Sequence, residues 1–163
     1  MHRCLHCGAR AASCEPQKSP VHSTLWMSLD SMSSPFCRST AEGPEPFLGS
    51  DGHVYLLYSG ANTWDGTYAV GVARAATENP LDGFDKELPD ARILRTGGQA
   101  LGPGHSSHPV VGPNGDEYLL YHAQLGATGH ARARKLMLDR FDWRGAWPQV
   151  HDGRPSLSPQ PTP

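Results

Sequence analysis

The feature that most restricts how this chain can fold is a pattern that occurs twice. Asp51-Gly52 is followed by Tyr55-Leu56-Leu57-Tyr58, and Asn114-Gly115 by Tyr118-Leu119-Leu120-Tyr121, each matched position lying 63 residues further on. Each copy couples a turn dipeptide to a short run of aromatic and aliphatic residues that favour extended backbone. A recurring turn-plus-strand unit implies a module that stacks on its neighbours because it cannot bury its apolar faces alone.

Composition points the same way. The 163 residues include 18 Gly and 15 Pro, and inside a helix Gly costs about 1 kcal/mol and Pro about 3 kcal/mol relative to Ala. Short strands are expected at His53–Ser59, at Tyr68–Arg74, at Glu117–Ala123 and at Leu136–Trp143. The small residues of the second permit close backbone approach, and Gly145-Ala146-Trp147-Pro148 reads as the turn closing the last. The fold class is therefore all-β. The repeat exceeds the roughly 40–50 residues of familiar propeller blades and is compatible with a four-stranded blade carrying long loops, two of which the chain covers.

Three segments are expected: an irregular N-terminal part (1–40), a strand-rich domain (41–152) and a Pro/Ser-rich tail (153–163). The first holds all four cysteines (Cys4, Cys7, Cys14, Cys37), and its one apolar cluster is Leu25-Trp26-Met27. Cys4, Cys7 and Cys14 with His2, His6 and His22 have the ligand chemistry of tetrahedral zinc. They lack a second paired knuckle, so unstructured or misassigned sequence is favoured over a zinc module. The net charge of −2, from 14 basic and 16 acidic residues without long runs, removes the electrostatic footprint of a nucleic-acid binder. No stretch approaches the roughly 20 apolar residues of a membrane span, and Met1 to Pro16 has no apolar core of a signal peptide.

A set of ordered motifs resembles glycoside hydrolase family 43, the arabinanase, arabinofuranosidase and xylosidase group built on a five-bladed β-propeller. Ala41-Glu42-Gly43-Pro44 is similar to that family's general-acid motif, and Gly52 to Ser59 to the strand element after it. Tyr68 to Arg74, Gly104-His105-Ser106-Ser107, Tyr118 to His122 and the run through Trp143 to Trp147-Pro148 continue the series in order.

The resemblance implies inverting hydrolysis of O-glycosyl bonds in arabinose- or xylose-containing polysaccharides, which needs an acid for the leaving oxygen and a base for water. Glu42 is the implied acid, with Glu45 competing three residues on. The two Asp residues of the family pattern, one of them the base, have no counterpart; Asp30 stands only 12 residues before Glu42, outside any family-like setting. The resemblance further implies His105 at the propeller axis, where calcium would be reached mainly through water. Arg134 is the implied sugar-contacting guanidinium, Arg132 being equally placed, and Tyr58 and Trp64 could stack on sugar rings. His108 and His122 read as ordinary histidines. Secretion is implied by the family alone. The resemblance thus implies that 41–152 is an incomplete propeller of about two to three blades, with 1–40 non-homologous to it. The expectation is a glycosidase fragment inactive for want of its base, with a non-catalytic carbohydrate-binding or interaction module as the alternative.

Overall fold

Two glycines set the repeat in space. Gly52 and Gly115 share a φ of +83°, a left-handed conformation open to glycine at little cost, and each closes an identical turn. The Gly52 amide donates to the Gly49 carbonyl at 3.0 Å and Gly115 to Gly112 at 3.0 Å; Gly49 donates to His53 at 2.8 Å and Gly112 to Asp116 at 2.8 Å. The 63-residue offset thus extends to individual hydrogen bonds. The computed structural model describes residues 41–85, 90–126 and 133–159. The Cys/His set, Asp30 and Arg132 lie outside them.

Among the described residues, ten strands form two antiparallel sheets. The first contains β1 (Ala41–Leu48), β2 (Val54–Gly60), β3 (Ala69–Ala75), β4 (Phe84–Asp85) and β5 (Arg92–Leu94). β1, β2 and β3 pair in sequence, and both β4 and β5 pair with β3. The second contains β6 (Ala100–Gly104), β7 (Val110–Val111), β8 (Glu117–Leu125), β9 (Arg134–Arg144) and β10 (Trp147–Val150). Here β6 and β7 pair with β8, then β9 and β10 follow. Each sheet is a four-strand-wide meander, the form of a propeller blade, and β2 and β8 carry the repeated Tyr-Leu-Leu-Tyr in the same blade position.

Strand alternation decides which side chains meet. Tyr55, Leu57, Val70 and Val72 of blade 1 share a buried core with Leu119, Tyr121, Ala123 and Phe141 of blade 2. Phe47, Trp143 and Trp147 pack at its margin, and Tyr55 meets Trp143 edge-on at 5.1 Å. Tyr58 points to the other face of blade 1, with Ala61, Ala69, Ala73 and Phe84. The contact is therefore unlike to unlike: β2 uses positions 55 and 57, whereas β8 uses 119 and 121 rather than the repeat-equivalent 118 and 120.

One detail corrects the sequence reading and another adds to it. Trp147-Pro148 is not part of the turn but opens β10, pairing with Arg144 and Trp143; Pro is tolerated there because β10 is an edge strand. The segment after Gly153 is docked: the Arg95 amide donates to the Gly153 carbonyl at 3.0 Å, and the Ser156 amide reaches both carboxylate oxygens of the fully buried Asp139, at 3.2 and 3.0 Å. Tyr121 donates its hydroxyl to the same carboxylate.

Candidate active site

Glu42 stands near the start of β1, opposite Ser59 of β2 and just before a bulge that shifts the register between Glu42 and Glu45. Bulges re-aim side chains beside functional sites. The Tyr68 hydroxyl donates to Glu42 Oε1, and His105 Nδ1 lies 3.9 Å from the same oxygen. His105 has a φ of +51°, uncommon outside glycine and worth a functional question when it occurs. That conformation is fixed by its own amide, which donates to Ser59 Oγ at 2.7 Å.

Arg134, the first residue of β9, closes the cluster. Its Nη1 donates to the Gly102 carbonyl at 2.6 Å and meets His122 Nδ1 at 3.0 Å, while Nη2 donates to the Thr63 carbonyl at 3.0 Å. The guanidinium carbon lies 5.2 Å from the centre of the Tyr68 ring, and the His122 ring stacks at 5.8 Å on His105 and at 6.4 Å on Tyr68. Because a guanidinium can only donate, His122 accepts at Nδ1 and carries its proton on Nε2. Its pKa is lowered, first by burial and then by the charges of Arg134 and His105. Burial, followed by the bond to Glu42, raises that of Tyr68.

Glu42, His105 and Arg134 are therefore brought together. Tyr58 is not: it is 4% exposed and lies on the face opposite Ser59, where β-strand alternation puts it. Trp64 is 70% exposed on the turn whose Thr63 carbonyl holds Arg134, next to the cluster in the chain. Glu45 leads elsewhere, to His108 Nδ1 at 3.8 Å. Tyr68 and His122 belong to the cluster although neither was expected there. The repeat carried a signal for His122, which is the counterpart of Ser59, just as His105 is the counterpart of Glu42. Among the described residues no three His, Cys, Asp or Glu side chains converge on a cation position, and Arg134 adds positive charge beside the imidazoles. These residues alone do not make a calcium site.

Two paired meander blades thus carry a carboxylate, two imidazoles and a guanidinium at one end. The chain belongs to glycosyl hydrolase family 43, whose model matches residues 18–148. It is similar to a thermostable family-43 glycoside hydrolase at 29% identity and a TM-score of 0.62, covering 76% of this chain and 38% of that one. The α-L-arabinanase of Cellvibrio cellulosa aligns at 28% identity and a TM-score of 0.53, covering 69% of this chain and 37% of that one. The xylan β-1,4-xylosidase of Bacillus halodurans C-125, at 24% identity, a TM-score of 0.56 and coverages of 76% and 26%, shares the fold. No curated protein sequence matches the chain. The fold is thus part of a five-bladed β-propeller, and the chain spans less than half the length of these structures.

Proposed function

We propose that the chain carries the acid side and part of the sugar-binding side of a glycosidase site acting on arabinose- or xylose-containing polysaccharides by inversion. The observation that supports this best is the position of Glu42, hydrogen-bonded by Tyr68 and 3.9 Å from His105, with the Arg134 fork on the same Tyr68 ring. In this reading the Glu42 carboxyl protonates the leaving glycosidic oxygen. Arg134 fixes sugar hydroxyls through donors that its carbonyl contacts leave over, and the exposed Trp64 offers a ring for stacking.

Inversion needs a second carboxylate on the far side of the sugar, roughly 6.5–9.5 Å from the acid, to activate water. Glu42 is the one carboxylate bonded into this cluster among the described residues, which gives specific support to the second reading, sugar binding without turnover. Release of p-nitrophenol from the α-L-arabinofuranoside and β-D-xyloside, measured beside binding of arabino- and xylo-oligosaccharides, separates the two. Turnover that Glu42→Ala abolishes establishes Glu42 as the acid with a base supplied by this chain. Binding without turnover establishes the recognition module, and neither activity in folded protein removes both readings.

A further inference from the structure

A groove of about 300 Å³ opens between β5 and β10, lined by Asp90, Arg92, Arg95, Arg144, Trp147 and Gln149. It is separate from the Glu42 cluster. Arg134 and Arg144 are the two ends of the 11-residue strand β9, and at about 3.4 Å per residue they stand roughly 30 Å apart.

The charges of the groove do not balance. The Asp90 carboxylate is taken by Arg92, through Nε at 2.5 Å and Nη2 at 2.7 Å, and by Arg95 at 3.4 Å. Asp152, the other acid of the lining, lies 3.0 Å from His151 Nδ1. The Arg144 guanidinium has no ion-pair or hydrogen-bond partner among the described residues, and its fork is left for an anion. Trp147 is held with Arg74 5.1 Å over its ring and Tyr55 edge-on at 6.1 Å, so the aromatic wall is fixed before any ligand arrives. Ile93, Pro148 and Gly153 complete the lining.

A rigid indole wall with hydrogen-bonding groups around it, in a volume at the lower end for ligand sites, suits a single pyranose ring. An unpaired guanidinium adds bidentate capture of a carboxylate. We propose that this groove is a second carbohydrate site, selective for a hexuronate unit, with Arg144 on the carboxylate, Trp147 against the ring and Gln149 and Asp152 on the hydroxyls. It rests on the carbohydrate reading of the chain and not on Glu42 acting as an acid. An acidic polysaccharide held here raises the local concentration of its own neighbouring segments at the Glu42 cluster.

D-glucuronate and D-glucose differ only at C6, so the pair isolates the carboxylate. The 163-residue chain is titrated with each while the Trp147 indole N–H is followed by NMR, in the native sequence, Arg144→Gln and Arg144→Lys. Glucuronate is expected to move the Trp147 resonance saturably and to bind at least about tenfold more tightly than glucose, the usual weight of a charge-assisted pair. Arg144→Gln should bring it down to the level of glucose, and Arg144→Lys should retain part of the difference. Excess D-xylose should leave glucuronate binding unchanged, so a failure of the Glu42 site leaves this result readable. Equal binding of glucose and glucuronate, no binding of glucuronate, insensitivity to Arg144→Gln, or acetate binding as well as glucuronate would overturn the proposal.

Discussion

Tyr68 packs so closely on Gly104 that a Cβ built on the glycine would overlap Cε1, Cδ1 and Cζ of the ring. The ring lies 5.2 Å from the Arg134 guanidinium, and its hydroxyl is committed to Glu42. It therefore cannot retreat without loosening the cluster. Gly104→Ala should cost about 1–3 kcal/mol, the usual cost of overpacking, read from the urea midpoint. Tyr68→Ala should relieve part of that cost, so the double variant will be less destabilised than the two singles together. Strict additivity would show that the contact is not felt.

His122 tests the electrostatics of the cluster. Its folded pKa lies below its ordinary 6.5 because of burial first, then Arg134 and His105. A histidine with a lowered folded pKa binds fewer protons than the unfolded chain, so its contribution to stability is full above 6.5 and is lost as pH falls through the folded value. Arg134→Met removes one of the charges and should move the His122 midpoint upward in an NMR titration of its Cε1 proton. An unchanged midpoint would leave burial and His105 as its causes.

Asp139 has the opposite sign. Burial raises its pKa above the ordinary 3.8, partly offset by the bonds from Tyr121 and Ser156. The native state then holds its proton better than the unfolded chain, and stability declines as pH rises from 3.8 through the folded value. Asp139→Asn should flatten that decline. Asp139→Ala, which strands the Ser156 amide and the Tyr121 hydroxyl, should cost about 1–3 kcal/mol and speed hydrogen exchange at Ser156.

The Tyr55 hydroxyl joins the two blades at their rim, its single hydrogen shared between the Ala146 carbonyl at 2.6 Å and Asp51 Oδ2 at 2.8 Å. Burial and then Asp51 push its pKa up to about 12 from 10.0. The stability this contributes is full below pH 10 and is lost as pH rises toward 12. Tyr55→Phe should cost about 1 kcal/mol at pH 7 and weaken the alkaline loss of stability, measured by urea unfolding at pH 9 and 11.5.

The blade repeat was legible because its turns depend on local chemistry: Asp51-Gly52 and Asn114-Gly115 need no tertiary context to specify a turn. Glu42, His105 and Arg134 were legible as a resemblance, each within a short motif. Their convergence was not, since it depends on a bulge after Glu42 and on the strained backbone of His105, neither of which leaves a periodic trace. Tyr58 and Tyr68 show the limit best. Both are strand-associated tyrosines, and only the parity set by the Glu42–Ser59 register turns one into the core and leaves the other at the carboxylate. Trp147-Pro148 looked like a turn because Pro is scarce inside sheets, and only the pairing on Trp143 and Arg144 makes it a strand.

The stacking of unlike faces has a consequence for symmetry. In blade 1 Leu57 and Val72 pair and are fully buried against blade 2, whereas their counterparts Leu120 and Leu138 pair in blade 2 and are only partly covered, with Leu136 beside them 76% exposed. That surface matches a face of the kind presented by Tyr121 and Leu119, not a copy of itself. Whatever lands on it must arrive in the orientation that blade 2 has to blade 1. Association through it is therefore head-to-tail, and a two-fold dimer built on that face alone would set like against like.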